Sequence, residues 1–369
     1  MTTRQRTFLY ITCANQEQFT GGSQCARRNL ESLRDIVGKD HVAEYVIRPT
    51  MGKRTWTEKL GRLRDVFKLF GGGLTTPDIH RILHLMRQQT FTDVFIDSSA
   101  LGVLARIIRH RHPEVSISVF FHNVEYDYMR STVLRSRDYK HLFWIASARY
   151  NEHHACQNAD RIISLNRADQ ARIQQLYHRS SVAIPITMRD DYHDLDPAET
   201  RSPSAIPQAL FVGSYFPGNV QGLKIFCQDI LPHLNIHLTI VGSGMEQLRN
   251  DMPLTSQITL LGKVPDLQPC YEAADLVVLP IISGGGMKVK TAEALKYGKY
   301  IIGTPEALEG YEVTPEVATI CRTLADYRQA LAHFMERHPF RYHPRARHTF
   351  TQLYSYDVSL NLFRTCLQP

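Results

Sequence analysis

The chain has 369 residues, 43% of them apolar and 21% charged, with a formal net charge of +7. That length exceeds what one hydrophobic core usually spans, so two domains are expected. Low-complexity tracts, short repeats and apolar runs near the ~18 residues of a membrane span are all missing, which excludes fibrous, disordered and membrane-spanning classes.

The N-terminus reads directly into an apolar strand, Phe8–Cys13, with no signal-peptide core before it, so a cytoplasmic location is expected. Gln18–Ser23 is a glycine-bearing turn into a helix from about Gln24 to Ile36, and Val42–Ile47 is the second strand. Met51–Phe70 then reads as a basic amphipathic helix. Trp56, Leu60, Leu63, Phe67 and Phe70 recur at helical spacing among Lys53, Arg54, Lys59, Arg62, Arg64 and Lys68. An anionic membrane surface is one expected partner of this stripe; packing on its own domain is the plainer alternative. Thr76-Pro77-Asp78 caps a helix over Ile79–Gln89, and the strand Asp93–Asp97, the helix Leu101–Arg111 and the strand Ser116–Phe121 follow. A long helical tract is expected from about Arg137 to Asn158, then a strand at Arg161–Leu165 and a helix at Arg167–Tyr177.

Arg189–Pro207 breaks the alternation with four Asp and three Pro and reads as a linker. Strands resume at Gln208–Val212, Ile236–Val241, Ile258–Leu261, Leu276–Leu279 and Tyr300–Gly303, with a helix at Gly222–Asp229 and a terminal helix at Ser355–Leu367. Regular βα alternation predicts an α/β chain of two Rossmann-like, doubly wound parallel sheets facing a cleft. The expected boundaries are an N-terminal domain over 1–190 completed by a C-terminal helix within 346–369, a linker over 191–207, and a second domain over 208–345.

Residues 1–200 hold 28 Lys and Arg against 22 Asp and Glu, whereas residues 201–369 hold 15 against 14. The basic excess belongs to the first half, but no nucleic-acid reading motif accompanies it, so no nucleic-acid partner is expected. The seven cysteines are scattered and never form a Cys-x-x-Cys pair, which predicts free thiols and no zinc site. His153-His154 lacks a further ligand at metal spacing, and no metal is expected.

The most telling segment is Gly284-Gly285-Gly286-Met287-Lys288-Val289-Lys290-Thr291-Ala292-Glu293, directly after the Leu276–Leu279 strand. A strand, a glycine loop and a helix start form a βα turn whose amides can approach an anion, with the helix dipole adding positive potential. Lys288 and Lys290 reinforce that potential, and Glu293, about two turns after Gly286, returns to the same face. Phosphate donors beside a carboxylate that accepts two hydroxyls suit a nucleotide sugar. The plainer alternative is a tight connection with Lys290 and Glu293 as a surface i,i+3 pair.

These segments, with Phe211-Val212-Gly213-Ser214-Tyr215, Ile240-Val241-Gly242-Ser243-Gly244 and Leu261-Gly262-Lys263-Val264-Pro265-Asp266, resemble the donor domain of GT-B-fold glycosyltransferases, above all the retaining family 4. Likeness is dense over about 208–310 and looser before it, at Gly21-Gly22, Phe121-His122-Asn123-Val124-Glu125 and Ala159-Asp160-Arg161. The resemblance implies that Glu293 accepts from the ribose hydroxyls and that the amides of Gly285, Gly286 and Met287 meet the diphosphate and sugar. It places Val264 against the base, Gly213, Ser214, Asn219 and Gly242 around the donor, and Gly21 and Gly22 in a loop over the phosphates. His122 would reach the donor sugar, and Glu125 is a possible base, or else, three residues past His122, simply the residue that opens the next helix. The implied reaction is a retaining, metal-independent transfer, from a UDP-sugar by preference, to a glycan or lipid-linked glycan acceptor, with no cofactor.

Two positions depart from the family pattern. Gly285 stands where a second glutamate is usual, and Ser214–Gly218 lacks the usual Arg and Lys phosphate ligands. Lys288 is the expected replacement, serving the leaving group. The rival readings are a non-catalytic GT-B partner that stabilises an active transferase, which loss of the glutamate would suit, and a nucleotide-sugar epimerase, which needs cleft carboxylates that the sequence does not reveal.

Overall fold

The computed structural model describes residues 5–14, 21–48, 61, 64–136, 142–192, 206–337 and 341–368. The chain forms two compact units, residues 1–185 with 359–369, and residues 186–358. Each is built on its own six-stranded, wholly parallel sheet.

In the first unit the strands are β1 (Phe8–Thr12), β2 (Val42–Val46), β3 (Asp93–Ile96), β4 (Ser116–Phe121), β5 (Arg161–Ser164) and β6 (Val182–Ala183), in the order β2-β1-β3-β4-β5-β6. Strands covered on both faces read as unbroken apolar runs, and β1, Phe-Leu-Tyr-Ile-Thr, is buried throughout. Alternate residues serve opposite faces. Leu9 and Ile11 join Val94, Ile96, Ile117, Val119 and the helix residues Ile82, Leu104 and Ile108 in one core. Tyr10 and Phe95 stack at 5.7 Å with Phe363 6.0 Å from Phe95, which brings the Tyr356–Cys366 helix into the first unit's core.

Local signals set the helix ends. Thr75 and Asp78 make a reciprocal capping box at the Thr76–Gln88 helix, with Pro77 in its first turn. Asn166 caps Arg167–Tyr177, which closes on His178 in the left-handed region. The first helix runs Gly21–Val37, so the expected glycine turn is already helical at Gly21. The expected tract at 137–158 differs too: the helices are Glu125–Ser136 and Leu142–Asn158, with 137–141 outside the described residues.

Most of the expected basic helix at 51–70 likewise lies outside the described residues, including Trp56 and Leu63. From Arg64 to Phe67 the chain is helical, and Leu69, at φ +58°, ends it. Asp65 is buried and accepts from the Thr76 amide at 3.0 Å, while Phe67 is 76% exposed. Of the linker expected at 191–207, residues 193–205 lie outside the described residues.

The second unit holds β7 (Gln208–Val212), β8 (His237–Val241), β9 (Ile258–Leu260), β10 (Leu276–Leu279), β11 (Tyr300–Gly303) and β12 (Ala318–Ile320), ordered β12-β11-β10-β7-β8-β9. The chain runs outward from β7 to β9, then restarts at β10 on β7's other side. The β7/β10 junction is therefore a topological switch point, where loops at the carboxyl ends diverge and leave room for a ligand. The Pro217–Ile225 helix passes into a wider five-residue turn, Phe226–Ile230. A Leu324–Arg337 helix seats Phe334 5.7 Å from Tyr300.

Candidate functional site

The loops that leave β7, β8 and β9 are laced together by their backbones. The Gly213 amide donates to Val241 O at 2.9 Å, Tyr215 to Ser243 O at 2.9 Å, and Gly242 to Gly262 O at 2.7 Å. Gly242 has φ +145°, and a Cβ there would lie 1.8 Å from Gly213 O, so only glycine lets these loops touch. Val264, half-buried, follows Gly262 by two residues in the same run.

On the other side of β7, the glycine loop leads into the Val289–Lys296 helix, whose N-cap residue Lys288 offers no side-chain cap. No N-cap side chain therefore competes with an anion for the helix dipole and its first amides, although the Thr291 amide already donates to Lys288 O at 2.9 Å. Gly284 and Gly286 hold φ of +150° and +61°, and Met287 is buried. Thr291 Oγ donates to Ala307 O at 2.7 Å, and Tyr311 to Lys288 O at 2.7 Å, fixing the helix start.

Glu293 is two turns in. Its Oε2 accepts from the Tyr271 hydroxyl at 3.0 Å, and the Tyr271 ring stacks on Tyr297 at 4.3 Å and 12°. Burial raises the Glu293 pKa, against the bond from Tyr271 and the charges of Lys296 and Lys290. A half-buried carboxylate steadied from behind by a tyrosine is a strong acceptor for paired hydroxyls.

The two lysines part company. Lys288 Nζ donates to Gly286 O at 2.5 Å and lies 3.0 Å from Glu306 and 3.6 Å from Glu309, so its charge is already matched. Lys290 crosses the switch point instead and donates to Asn219 Oδ1 at 2.6 Å, while Asn219 Nδ2 holds Ser214 O at 2.8 Å. Its ammonium lies 4.9 Å from the centre of the Phe211 ring and 3.1 Å from where a Cβ on Gly213 would sit. Lys290 is thus no surface partner of Glu293. Sequence reading gave it a minor part because Lys288 and Lys290 look alike until Glu306 and Glu309 return to claim one of them.

In the first unit, His122 follows β4 and leans on the end of β3. Its Nε2 lies 3.0 Å from Asp97 O and 3.3 Å from Asp97 Oδ2. Asp97 is buried and also accepts from Thr12 Oγ at 3.1 Å and from Asn29 Nδ2 at 2.7 Å. Burial alone would lower the His122 pKa, but Asp97 and then Cys25 outweigh it and hold it well above the ordinary value. The Asp97 carboxylate therefore favours the protonated form of His122, whose Nε2 points at Asp97. Nothing in the sequence flagged Asp97, because its closeness to His122 comes from β3 lying beside β4.

Glu125 opens the Glu125–Ser136 helix. Its Oε1 accepts from Asn123 at 3.1 Å, its amide is held by Glu152 at 2.5 Å, and burial raises its pKa. Burial also pushes the Glu152 carboxyl up to about 8. Gly21 and Gly22 are exposed at the first helix's start; residues 15–20 of the loop before them lie outside the described residues. Among the described residues, no group of three His, Cys, Asp or Glu side chains is placed to hold a metal. The chain's Asp-x-Asp tripeptide, Asp194-Leu195-Asp196, lies outside the described residues.

Residues 206–337 match the family model of glycosyl transferases group 1. Over nearly its whole length the chain superposes on sucrose-phosphate synthase from Thermosynechococcus elongatus (TM-score 0.72, 14% identity, 98% of both chains). It also superposes on Anabaena HepE in complex with UDP-glucose (TM-score 0.66, 12% identity, 97% and 98% of the chains). The fold is GT-B. Lipopolysaccharide outer core galactosyltransferase WaaB shares this GT-B architecture at TM-score 0.68 and 12% identity, over 98% of this chain and 99% of that one. A Klebsiella pneumoniae relative, an uncharacterized 44.6 kDa protein in the cps region, is 29% identical over 115 residues, covering 27% of this chain and 30% of its own length.

Proposed function

We propose that this chain is a glycosyltransferase that takes a sugar from a nucleoside-diphosphate donor, a UDP-sugar by preference, and passes it to a glycan or lipid-linked glycan. The observation that carries this is the cradle of the second unit, where a glycine loop and open helix start lie two turns from Glu293 and its tyrosine support. The likeness to HepE, solved with UDP-glucose, supports the donor class, and the Klebsiella relative's place in a cps region supports a polysaccharide product. In the transfer, the anomeric C–O bond of the donor breaks and its electron pair leaves with the diphosphate. The acceptor oxygen forms the new bond and loses its proton. Amides and positive charge on the departing phosphate stabilise the transition state more than the ground state. We take the transfer to be retaining and independent of a divalent ion, with His122 orienting the sugar.

Thermal stability of the purified protein with UDP, GDP, TDP and CMP tests the donor site. One nucleoside diphosphate at about 100 times its Kd should add about 2.7 kcal/mol, a rise of several degrees. Glu293→Ala should lose most of that rise. If none of the three diphosphates shifts the wild type, the donor reading fails. The second reading, a non-catalytic GT-B partner, is favoured by Gly285 at the usual glutamate position; nucleotide binding without hydrolysis or transfer on any acceptor would support it.

A membrane-borne acceptor fits the apolar side chains that the first unit leaves in solvent. Phe67, Leu134, Leu142 and Trp144 are exposed there, at 43–76%. Ser147 and Asn151 donate to Leu69 O, which holds the end of the basic segment against the Leu142–Asn158 helix. No described helix is long and apolar enough to cross a membrane. The protein should float with phosphatidylglycerol vesicles at low salt and be released as salt rises, since screening weakens such attraction. Failure to float at low salt would remove the membrane from the proposal.

A further inference from the structure

The usual basic ligands of the diphosphate are missing after β7, and Lys288 is tied to Glu306, Glu309 and its own loop. The donor's diphosphate carries two negative charges and gains another as the C–O bond breaks, so a cation that is not already neutralised stabilises its departure. Lys290 meets that requirement. It makes no ion pair with any described carboxylate, its Nζ is fixed at 2.6 Å by a neutral amide oxygen, and it lies under Gly213 at the carboxyl end of β7.

We propose that Lys290, held by Asn219 beneath Gly213, is the cation that receives the diphosphate of the donor. This rests on the donor reading given above and adds the residue that carries the charge. Burial, followed by the nearby Lys288, lowers the Lys290 pKa to about 7. An ammonium with no carboxylate partner gains most when an anion arrives. Asn219 has two tasks. Its carbonyl aims Lys290, and its amide group holds Ser214 O, so the β7 loop and the cation move as one. Gly213 leaves the space above the ammonium open, since a side chain there would begin 3.1 Å from Nζ.

Isothermal titration of UDP, GDP and TDP, each beside its nucleoside, reads the charge separately from the base and ribose. For whichever diphosphate the wild type binds, Lys290→Met should weaken affinity about ten- to hundred-fold, the loss of one charge-assisted hydrogen bond. Its affinity for the matching nucleoside should change less than about twofold. Lys224→Met, which removes a charge paired with Asp251, should leave both unchanged. Ligand-free Lys290→Met should melt at or above the wild-type temperature, because a half-buried charge with no carboxylate partner has been removed; a purely structural lysine would lower it.

If wild type binds a diphosphate and Lys290→Met binds it equally well, the assignment of Lys290 is wrong while the donor reading stands. The same holds if Lys288→Met loses the diphosphate and Lys290→Met keeps it. If wild type binds none of the three diphosphates, the donor reading falls and takes this one with it.

Discussion

Asp97→Ala should destabilise the first unit by about 3–5 kcal/mol, the usual cost of stripping one partner from a buried ion pair. The carboxylate is buried and is shared by Thr12, Asn29 and His122. Truncation leaves the Thr12 hydroxyl and the Asn29 amide without this acceptor, and leaves His122 with the Asp97 carbonyl oxygen but no carboxylate charge. Asp97→Asn separates charge from shape. The folded-state pKa of His122 lies above its ordinary 6.5, so the stability it contributes is complete below pH 6.5 and disappears as pH rises through the folded value. The asparagine variant loses that contribution. Its melting-temperature deficit should therefore be widest near pH 6 and narrow toward pH 9. A deficit constant across that range would mean that Asp97 does not raise the His122 pKa.

Gly102→Ala should cost about 3 kcal/mol or more. A Cβ at this position would lie 1.7 Å from the Asn151 carbonyl oxygen and 2.7 Å from the Ala155 amide nitrogen, backbone atoms that cannot swing aside. The Gly102–Arg111 and Leu142–Asn158 helices touch main chain to main chain here, and Asn151 Oδ1 also accepts from the Val103 amide at 3.2 Å. Accommodating one methyl group forces the helices apart and breaks that bond along with its apolar surroundings. A fall in melting temperature near 10 °C is expected. Gly61→Ala, with open space around the position, should change it by no more than a degree or two. Equal melting of the two variants would show that the helices separate freely.

The fold was legible because buried parallel strands advertise themselves. Gln208–Val212, Ser116–Phe121, Leu276–Leu279 and Tyr300–Gly303 fall where unbroken apolar runs place them. The edge strands Val182–Ala183 and Ala318–Ile320 escaped notice because two or three residues cannot display a pattern. The helix before Leu142 was legible only at its start, where Glu125 and Asp127 give an acidic first turn; its extent was not, because Glu125–Ser136 has a weak apolar stripe and the Glu152 carboxylate that holds its first amide arrives from a later helix. In the candidate site, what one turn of chain encodes could be read, namely the glycines, the helix start and Glu293. What depends on neighbouring strands could not. Asp97 meets His122 through β3 beside β4, Tyr271 meets Glu293 across 22 residues, and only the return of Glu306 and Glu309 distinguishes Lys288 from Lys290.

The Tyr356–Cys366 helix gives the chain an order of assembly during synthesis. Phe363 and Leu367 are fully buried in the first unit, Leu367 O accepts from Arg6, and Gln368 O accepts from Arg161 at 3.0 Å. Residues 1–185 emerge early but lack these groups until residues 359–368 have left the ribosome. The second unit, contiguous from 186 to 358, has all its strands before then. The later-synthesised unit can thus finish first, while the earlier one waits with its Phe95 face uncovered.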